Sequence, residues 1–240
     1  MLSKNEHKLI TSLQQKKYRI QHQLFVAEGV KVVNEFLNSN LQLHKLFCTE
    51  DYSHSISKYE PEIITDKELL KLSKLSTPNK VIAIFKIPVA NAIKTEGLTV
   101  ALDAINDPGN LGTIIRLCDW FGVSQLICSS DTVDCYNSKV VQATMGSLTR
   151  LSIIYTDLNT YLKNASSPIY GAVMDGKNVY NTDLEKNGIL VMGNESQGIS
   201  TEIEHLLSQK ITIPKFSKNN TPESLNVATA TAILLNEFRR

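Results

Sequence analysis

No apolar stretch in this chain approaches the roughly 20 residues that a bilayer-spanning helix needs; the longest runs are strand-sized. The opening "MLSKNEHKLITSLQQKKYR" lacks the apolar core of a secretory signal, so a cytoplasmic location with no membrane partner is expected. Cysteine is scarce. Cys48, Cys118, Cys128 and Cys135 form no C-x-x-C pair, and the five histidines form no H-E-x-x-H. No zinc or redox framework is suggested, no metal site is expected, and a reducing compartment fits. Two of the cysteines lie inside apolar patterns and read as small buried thiols. The nucleotide fingerprints are missing too. Gly109 and Gly112 have the wrong spacing for G-x-G-x-x-G, the following strand "QLICSS" ends without an acid, and G-x-x-x-x-G-K-[ST] is absent. A dinucleotide-dependent oxidoreductase is therefore disfavoured. Nor is there an excess of one charge. Net charge is +1, so any nucleic-acid contact must come from a local patch.

What is present suits one large domain or two small ones. Residues 1–90 read as a small α/β unit. Its helices are basic around "QQKKYR" and amphipathic through Val30, Val33, Phe36 and Leu37; "LFVAEG", "LHKLFCT", "EIIT" and "VIAIFK" read as strands. Thr65 or Asp66 opens a helix at "TDKELLKLSKLST". Lys4, Lys8, Lys16, Lys17 and Arg19 form a basic run with few acids between, either a solvated helix face or a patch for RNA. "KIPVANAIKTEG" reads as a linker. From about residue 98 to residue 240, strands alternate with helices starting near Asn110, Asn137, Asp157, Ser200 and Ser224. That alternation predicts a parallel sheet covered on both faces.

Ligands of open parallel sheets bind beyond the C-terminal strand ends, and three such segments stand out. In "DPGNLGTIIRLCDWFG", Asn110 is expected to cap a helix that buries Leu111, Ile114, Ile115 and Cys118. Arg116 lies off that stripe and leans over the bare backbone of Gly112. An ion pair with Asp119 or stacking on Trp120 is the plainer alternative. In "LVMGNESQGIS", Gly193, Asn194, Glu195 and Gly198 follow an apolar strand. Glu195 can bridge backbone groups, serve a site, or both. In "ITIPKFSKNNTPESLNVATATAILLNEF", Ser224 is placed to cap the last helix. That helix has two apolar stripes, Leu225, Ala228, Ala232, Leu235 and Val227, Thr231, Leu234, Phe238, which suits the core or a subunit interface.

In this order and spacing the three segments resemble the motifs of the SpoU (TrmH-like) family of RNA 2′-O-ribose methyltransferases, of the SPOUT class. The resemblance covers residues 98–240. "KKYRIQHQLFVAEG" resembles part of the ribosomal-protein-like module that such enzymes carry for RNA binding. The resemblance implies an α/β trefoil-knot methyltransferase domain after a small α/β RNA-binding domain. It also implies S-adenosyl-L-methionine as methyl donor, a ribose 2′-hydroxyl as acceptor, and a homodimer in which Arg116 reaches toward the partner's cofactor. Carried over by motif, the catalytic set is Asn110, Arg116, Glu195, Ser224 and Asn226. The cofactor lies around Met174, Gly193, Ile213 and Leu225, and Lys16, Lys17 and Arg19 contact RNA. Ribosomal RNA is favoured over transfer RNA; a non-catalytic RNA-binding or ribosome-assembly protein of the same fold is the competing class. Gln142, Met145 and the absence of glycine just before Ser224 depart from the common pattern and bear on substrate contacts and loop shape. Guanidinium groups resist deprotonation in proteins. Arg116 is therefore read as a phosphate ligand that stabilises developing alkoxide charge, with Asn110 and Glu195 holding its fork.

Overall fold

Two sheets form, each in its own compact unit. The computed structural model describes residues 2–89, 91–217 and 224–240. In the first unit, α1 (Lys4–Ser12) opens on a capping box: Ser3 Oγ accepts from Glu6 N at 3.2 Å while the Glu6 carboxylate accepts from Ser3 N at 2.8 Å. Then follow α2 (Lys16–His22), β1 (Leu24–Glu28), α3 (Val30–Leu37), β2 (Leu43–Cys48), α4 (Glu50–Ser53), β3 (Glu62–Ile63), α5 (Asp66–Leu72) and β4 (Val81–Lys86). Thr65 caps α5. The strand order is β1-β4-β2-β3, with β4 antiparallel to both neighbours. Phe25, Phe36 and Phe85 meet ring to ring at 5.5–6.0 Å in its core.

The second unit starts with β5 (Thr99–Leu102), α6 (Pro108–Trp120) and β6 (Gln125–Cys128). The chain then returns to the first unit for residues 134–149, which carry α7 (Ser138–Thr144). Tyr136 packs on Phe25 at 4.8 Å and Asp134 accepts an ion pair from Arg19 at 2.6 Å. The linear boundary near residue 90 read from the sequence therefore misses one excursion. The second unit resumes with β7 (Ile153–Tyr155), α8 (Leu158–Lys163), β8 (Ile169–Asn178), β9 (Ile189–Met192), α9 (Thr201–Glu204), β10 (Gln209–Thr212) and α10 (Val227–Arg239). Its sheet runs β10-β8-β9-β5-β6-β7 with every neighbour parallel. β5, β6 and β9 are buried at every position, as strands covered on both faces must be.

Two features shape the site end of this sheet. The β8–β10 ladder skips: Lys210 pairs with Gly171, but Ile211 pairs with Lys177, leaving residues 172–176 outside the register. α10 packs on α6 and buries Val227, Ala228, Thr231, Leu234, Leu235 and Phe238, drawn from both stripes seen in the sequence. Among the described residues no helix is long and apolar enough to cross a membrane.

Candidate active site

The adjacent strands β5 and β9 deliver the first two segments to the same sheet end. After β5 the chain turns into α6 through Asp107-Pro108. Asp107 is the cap: its Oδ1 accepts from Asn110 N at 2.7 Å, with Pro108 in the first helical turn. The expectation that Asn110 caps this helix is thus corrected. Relieved of that task, Asn110 turns its side chain outward. After β9, Asn194 closes a tight turn: its Oδ1 accepts from Ser196 N at 2.9 Å and Gln197 N at 3.1 Å. Its amide donates to the Ala104 carbonyl at 2.7 Å. Asp103 accepts from Ser200 N at 2.7 Å. A Cβ on Gly193 would lie 2.2 Å from the carbonyl carbon of Gly198, so only glycine lets this turn close.

Glu195 sits at the tip of that turn and reaches across to the start of α6. Its carboxylate accepts from Asn106 N at 3.4 Å, Asp107 N at 3.3 Å and Asn110 Nδ2 at 3.0 Å. The third segment joins through Asn226, whose Nδ2 donates to Asn110 Oδ1 at 2.9 Å. Asn226, not Ser224, caps α10, accepting from Ala228 N at 3.0 Å and Thr229 N at 3.2 Å. Those two backbone donors orient its amide and leave the NH₂ for Asn110, which must then offer its own NH₂ to the carboxylate. The chain Glu195–Asn110–Asn226 therefore ties three distant segments together with one self-consistent set of amide orientations. Ser224 is exposed and makes no hydrogen bond among the described residues.

Arg116 stands apart from this chain. It is exposed on α6, and among the described residues no ion pair, hydrogen bond or ring contact holds it. The pairing with Asp119 does not form because Arg150 occupies that carboxylate at 2.9 Å. Stacking on Trp120 does not form either. Within the chain, Asn110 and Glu195 bind each other and the 106–107 backbone, and neither is hydrogen-bonded to Arg116. Under α6, burial pushes the Cys118 thiol well above its ordinary range, which leaves it inert.

The expected cofactor residues offer a consistent chemistry. Met174 lies in the unpaired stretch 172–176 and is 63% exposed, and its carbonyl accepts from Thr212 Oγ1 at 3.2 Å. Leu225 is 49% exposed; Gly193 and Ile213 are half-buried at the ends of β9 and β10. Exposed apolar side chains beside main chain outside the ladder fit a flat, neutral purine read by backbone groups. Two clefts of this unit, of about 760 and 360 Å³, lie at the opposite end of the sheet, where β8, β9 and β5 begin, and contain none of these residues.

In the first unit, Lys16 and Lys17 are exposed on α2. Arg19 is not an RNA contact. It is 2% exposed, with Nε and Nη2 on Asp134 at 2.8 and 2.6 Å and Nη1 on the Leu13 and Gln14 carbonyls at 2.9 and 3.0 Å. A phosphate could reach it only by breaking that set. The sequence reading also gave no role to Asp107, Asn194 and Asp103, which build the loops. The Asp-Pro step was the signal for Asp107.

Residues 97–236 match the SpoU rRNA methylase family. The chain belongs to that family. Residues 4–83 match the MRM3-like substrate binding domain. A putative RNA methyltransferase of the TrmH family from Porphyromonas gingivalis superposes with a TM-score of 0.89 at 36% identity, over 99% of this chain and 98% of that one. An AdoMet-bound rRNA methyltransferase from Sinorhizobium meliloti gives 0.87 at 28% identity, over 100% and 95%. A 23S rRNA (guanosine(2553)-2′-O)-methyltransferase of Bacillus subtilis is 28% identical, over 95% of this chain and 93% of its own length. These relatives share both units, and the α/β fold with its parallel sheet is the SpoU fold.

Proposed function

We propose that this SpoU protein transfers a methyl group from S-adenosyl-L-methionine to a ribose 2′-hydroxyl of ribosomal RNA. The observation that carries the reading is the Glu195–Asn110–Asn226 chain, which draws the three family segments to one sheet end beside Arg116, an arginine with no partner among the described residues. Relatives matching nearly end to end are named for rRNA methylation, and one is AdoMet-bound.

S-adenosyl-L-methionine, held around Met174, Gly193, Ile213 and Leu225, would supply an electrophilic methyl group. The chain's own part is positioning and charge. Glu195 and Asn226 fix Asn110 and with it the start of α6; Ser224 stays free to meet the ribose or the methionine end. Arg116 binds the phosphate next to the reacting ribose and stabilises the oxygen as its proton passes to solvent water. Because Arg116 finds no partner among the described residues, a homodimer in which it serves the partner's site is the reading we adopt. A trefoil knot in the second unit belongs to the same reading. Lys16 and Lys17 give the first unit its phosphate contacts, and the cytoplasm is the compartment. Calorimetric binding of S-adenosyl-L-methionine, followed by transfer of its labelled methyl to deproteinised rRNA, tests the reading. No cofactor binding and no transfer would leave a non-catalytic RNA-binding protein.

A further inference from the structure

Part of β8 takes no part in its ladders. β8 pairs with β9 only through Ile169, Tyr170 and Gly171. It pairs with β10 at Tyr170 and Gly171, then again at Lys177 and Asn178. Residues 172–176 are thus an excursion set against two consecutive β10 residues, Lys210 and Ile211. Unpaired main chain keeps its N–H and C=O groups for other partners. The excursion is tightly bounded where it returns. A Cβ on Gly176 would lie 2.6 Å from the Ile211 carbonyl carbon, so the two backbones touch there. Its outer part, Met174 and Asp175, is exposed. Among the described residues, one side-chain hydrogen bond reaches its main chain: Thr212 Oγ1 donates to the Met174 carbonyl at 3.2 Å. Thr212 is half-buried at the end of β10, between the fully buried Ile211 and Ile213, an expected cofactor residue.

We infer that Thr212 is a positioning residue for the cofactor: its hydroxyl fixes the 172–176 excursion in the shape that S-adenosyl-L-methionine needs, and so sets cofactor affinity without entering the chemistry. The inference rests on the methyltransferase reading, which puts the cofactor around Met174 and Ile213. A carbonyl oxygen has two lone pairs. Thr212 occupies one on Met174 and settles which way that peptide faces. The other lone pair, and the neighbouring main-chain groups, stay available to a purine. Recognition by backbone depends on such settling, because a planar peptide unit that rotates redirects its C=O and the next N–H together. The ladder cannot do this work, since it resumes only at Lys177. An excursion that spends only part of its time in the binding shape binds more weakly by that fraction. The hydroxyl is the part of Thr212 that matters. A methyl in its place keeps the β-branched shape that suits a strand, but it donates nothing.

Calorimetry of S-adenosyl-L-methionine binding to the full-length protein tests this. Thr212→Val should weaken binding by about 3- to 10-fold, the worth of one neutral hydrogen bond. Thr212→Ser, which restores the donor, should recover most of it. With deproteinised rRNA as acceptor, the KM for S-adenosyl-L-methionine should rise by the same factor in Thr212→Val, while kcat at saturating cofactor keeps its wild-type value. In cofactor-free protein, the amides of 172–176 should exchange with solvent faster in Thr212→Val than in wild type or Thr212→Ser. Thr212→Val that binds as tightly as wild type overturns the inference, as does unaltered exchange. So does a fall in kcat with KM unchanged, or a serine variant as weak as the valine one. Wild type and Thr212→Val binding alike defeats this inference and leaves the proposed function standing. Wild-type protein that binds no S-adenosyl-L-methionine removes the proposed function and this inference with it.

Discussion

Asn110 and Asn226 lie 116 positions apart in sequence and meet through one hydrogen bond of 2.9 Å. That bond is the test of whether the site is a single unit. Asn226→Ala removes both the bond and the α10 cap. A cap is worth about 1 kcal/mol and the bond about 0.5–1 kcal/mol, the low end applying because the pair is exposed. Asn226→Asp keeps an oxygen for Ala228 N and Thr229 N but loses the NH₂ and sets a carboxylate toward Asn110 Oδ1. It should therefore lose the bond alone. Asn110→Ala cuts the links to both Glu195 and Asn226, about 1–2 kcal/mol together. In a cycle of Asn110→Ala, Asn226→Ala and the double variant, the cap cancels and a coupling of about 0.5–1 kcal/mol should remain. Urea unfolding followed by Trp120 fluorescence suits this, because the only tryptophan sits on α6 in the same unit and does not report the first unit. Costs that add to within about 0.3 kcal/mol would refute the bridging role.

Arg116→Ala and Arg116→Lys should both lower kcat for methyl transfer sharply, lysine less so, with S-adenosyl-L-methionine affinity unchanged by calorimetry; near wild-type kcat in both removes Arg116 from the chemistry. Lys16→Ala with Lys17→Ala should weaken RNA binding and reduce the slope of log K against log salt by up to about two, with no loss of stability. Arg19→Ala should do the opposite, costing about 3–5 kcal/mol by stranding Asp134 in a denaturation experiment that resolves the first unit. Lys45, with help from Ser3, pulls the Glu6 carboxyl down to about 2. A lowered folded-state value stabilises above the ordinary carboxylate range and is lost as pH falls through it. Glu6→Gln should therefore be less stable than wild type at pH 7, with the gap closing between about pH 4.5 and 2 in acid-unfolding curves.

Strands and buried helix faces were legible because periodicity reports which side of an element meets the core. β5, β6 and β9 read as mostly apolar runs, and both apolar stripes of the last helix contribute residues that α10 buries. Caps were harder. Asp107 and Asn110 are both capping residues, as are Ser224 and Asn226, and only the tertiary role of each one's neighbours separates them. Asn110 is needed by Glu195, 85 positions away, so Asp107 takes the cap. Arg19 looked like its neighbours Lys16 and Lys17, because its partner Asp134 lies 115 positions on, across a whole strand–helix–strand passage of the other unit. The same distance hid the membership of 134–149 in the first unit. The site residues themselves were legible by motif, but their division of labour came only from geometry. Asn110 and Glu195 turned out to bind each other and not Arg116.

The central claim is methyl transfer to a ribose hydroxyl of rRNA. Mapping 2′-O-methyl positions on total RNA from cells with and without this protein tests it most directly, with Arg116→Ala as the control. The account predicts a rRNA ribose that loses its methyl group when the protein is absent and is not restored by Arg116→Ala. An unchanged rRNA map, or a lost methyl found only on transfer RNA, would contradict it.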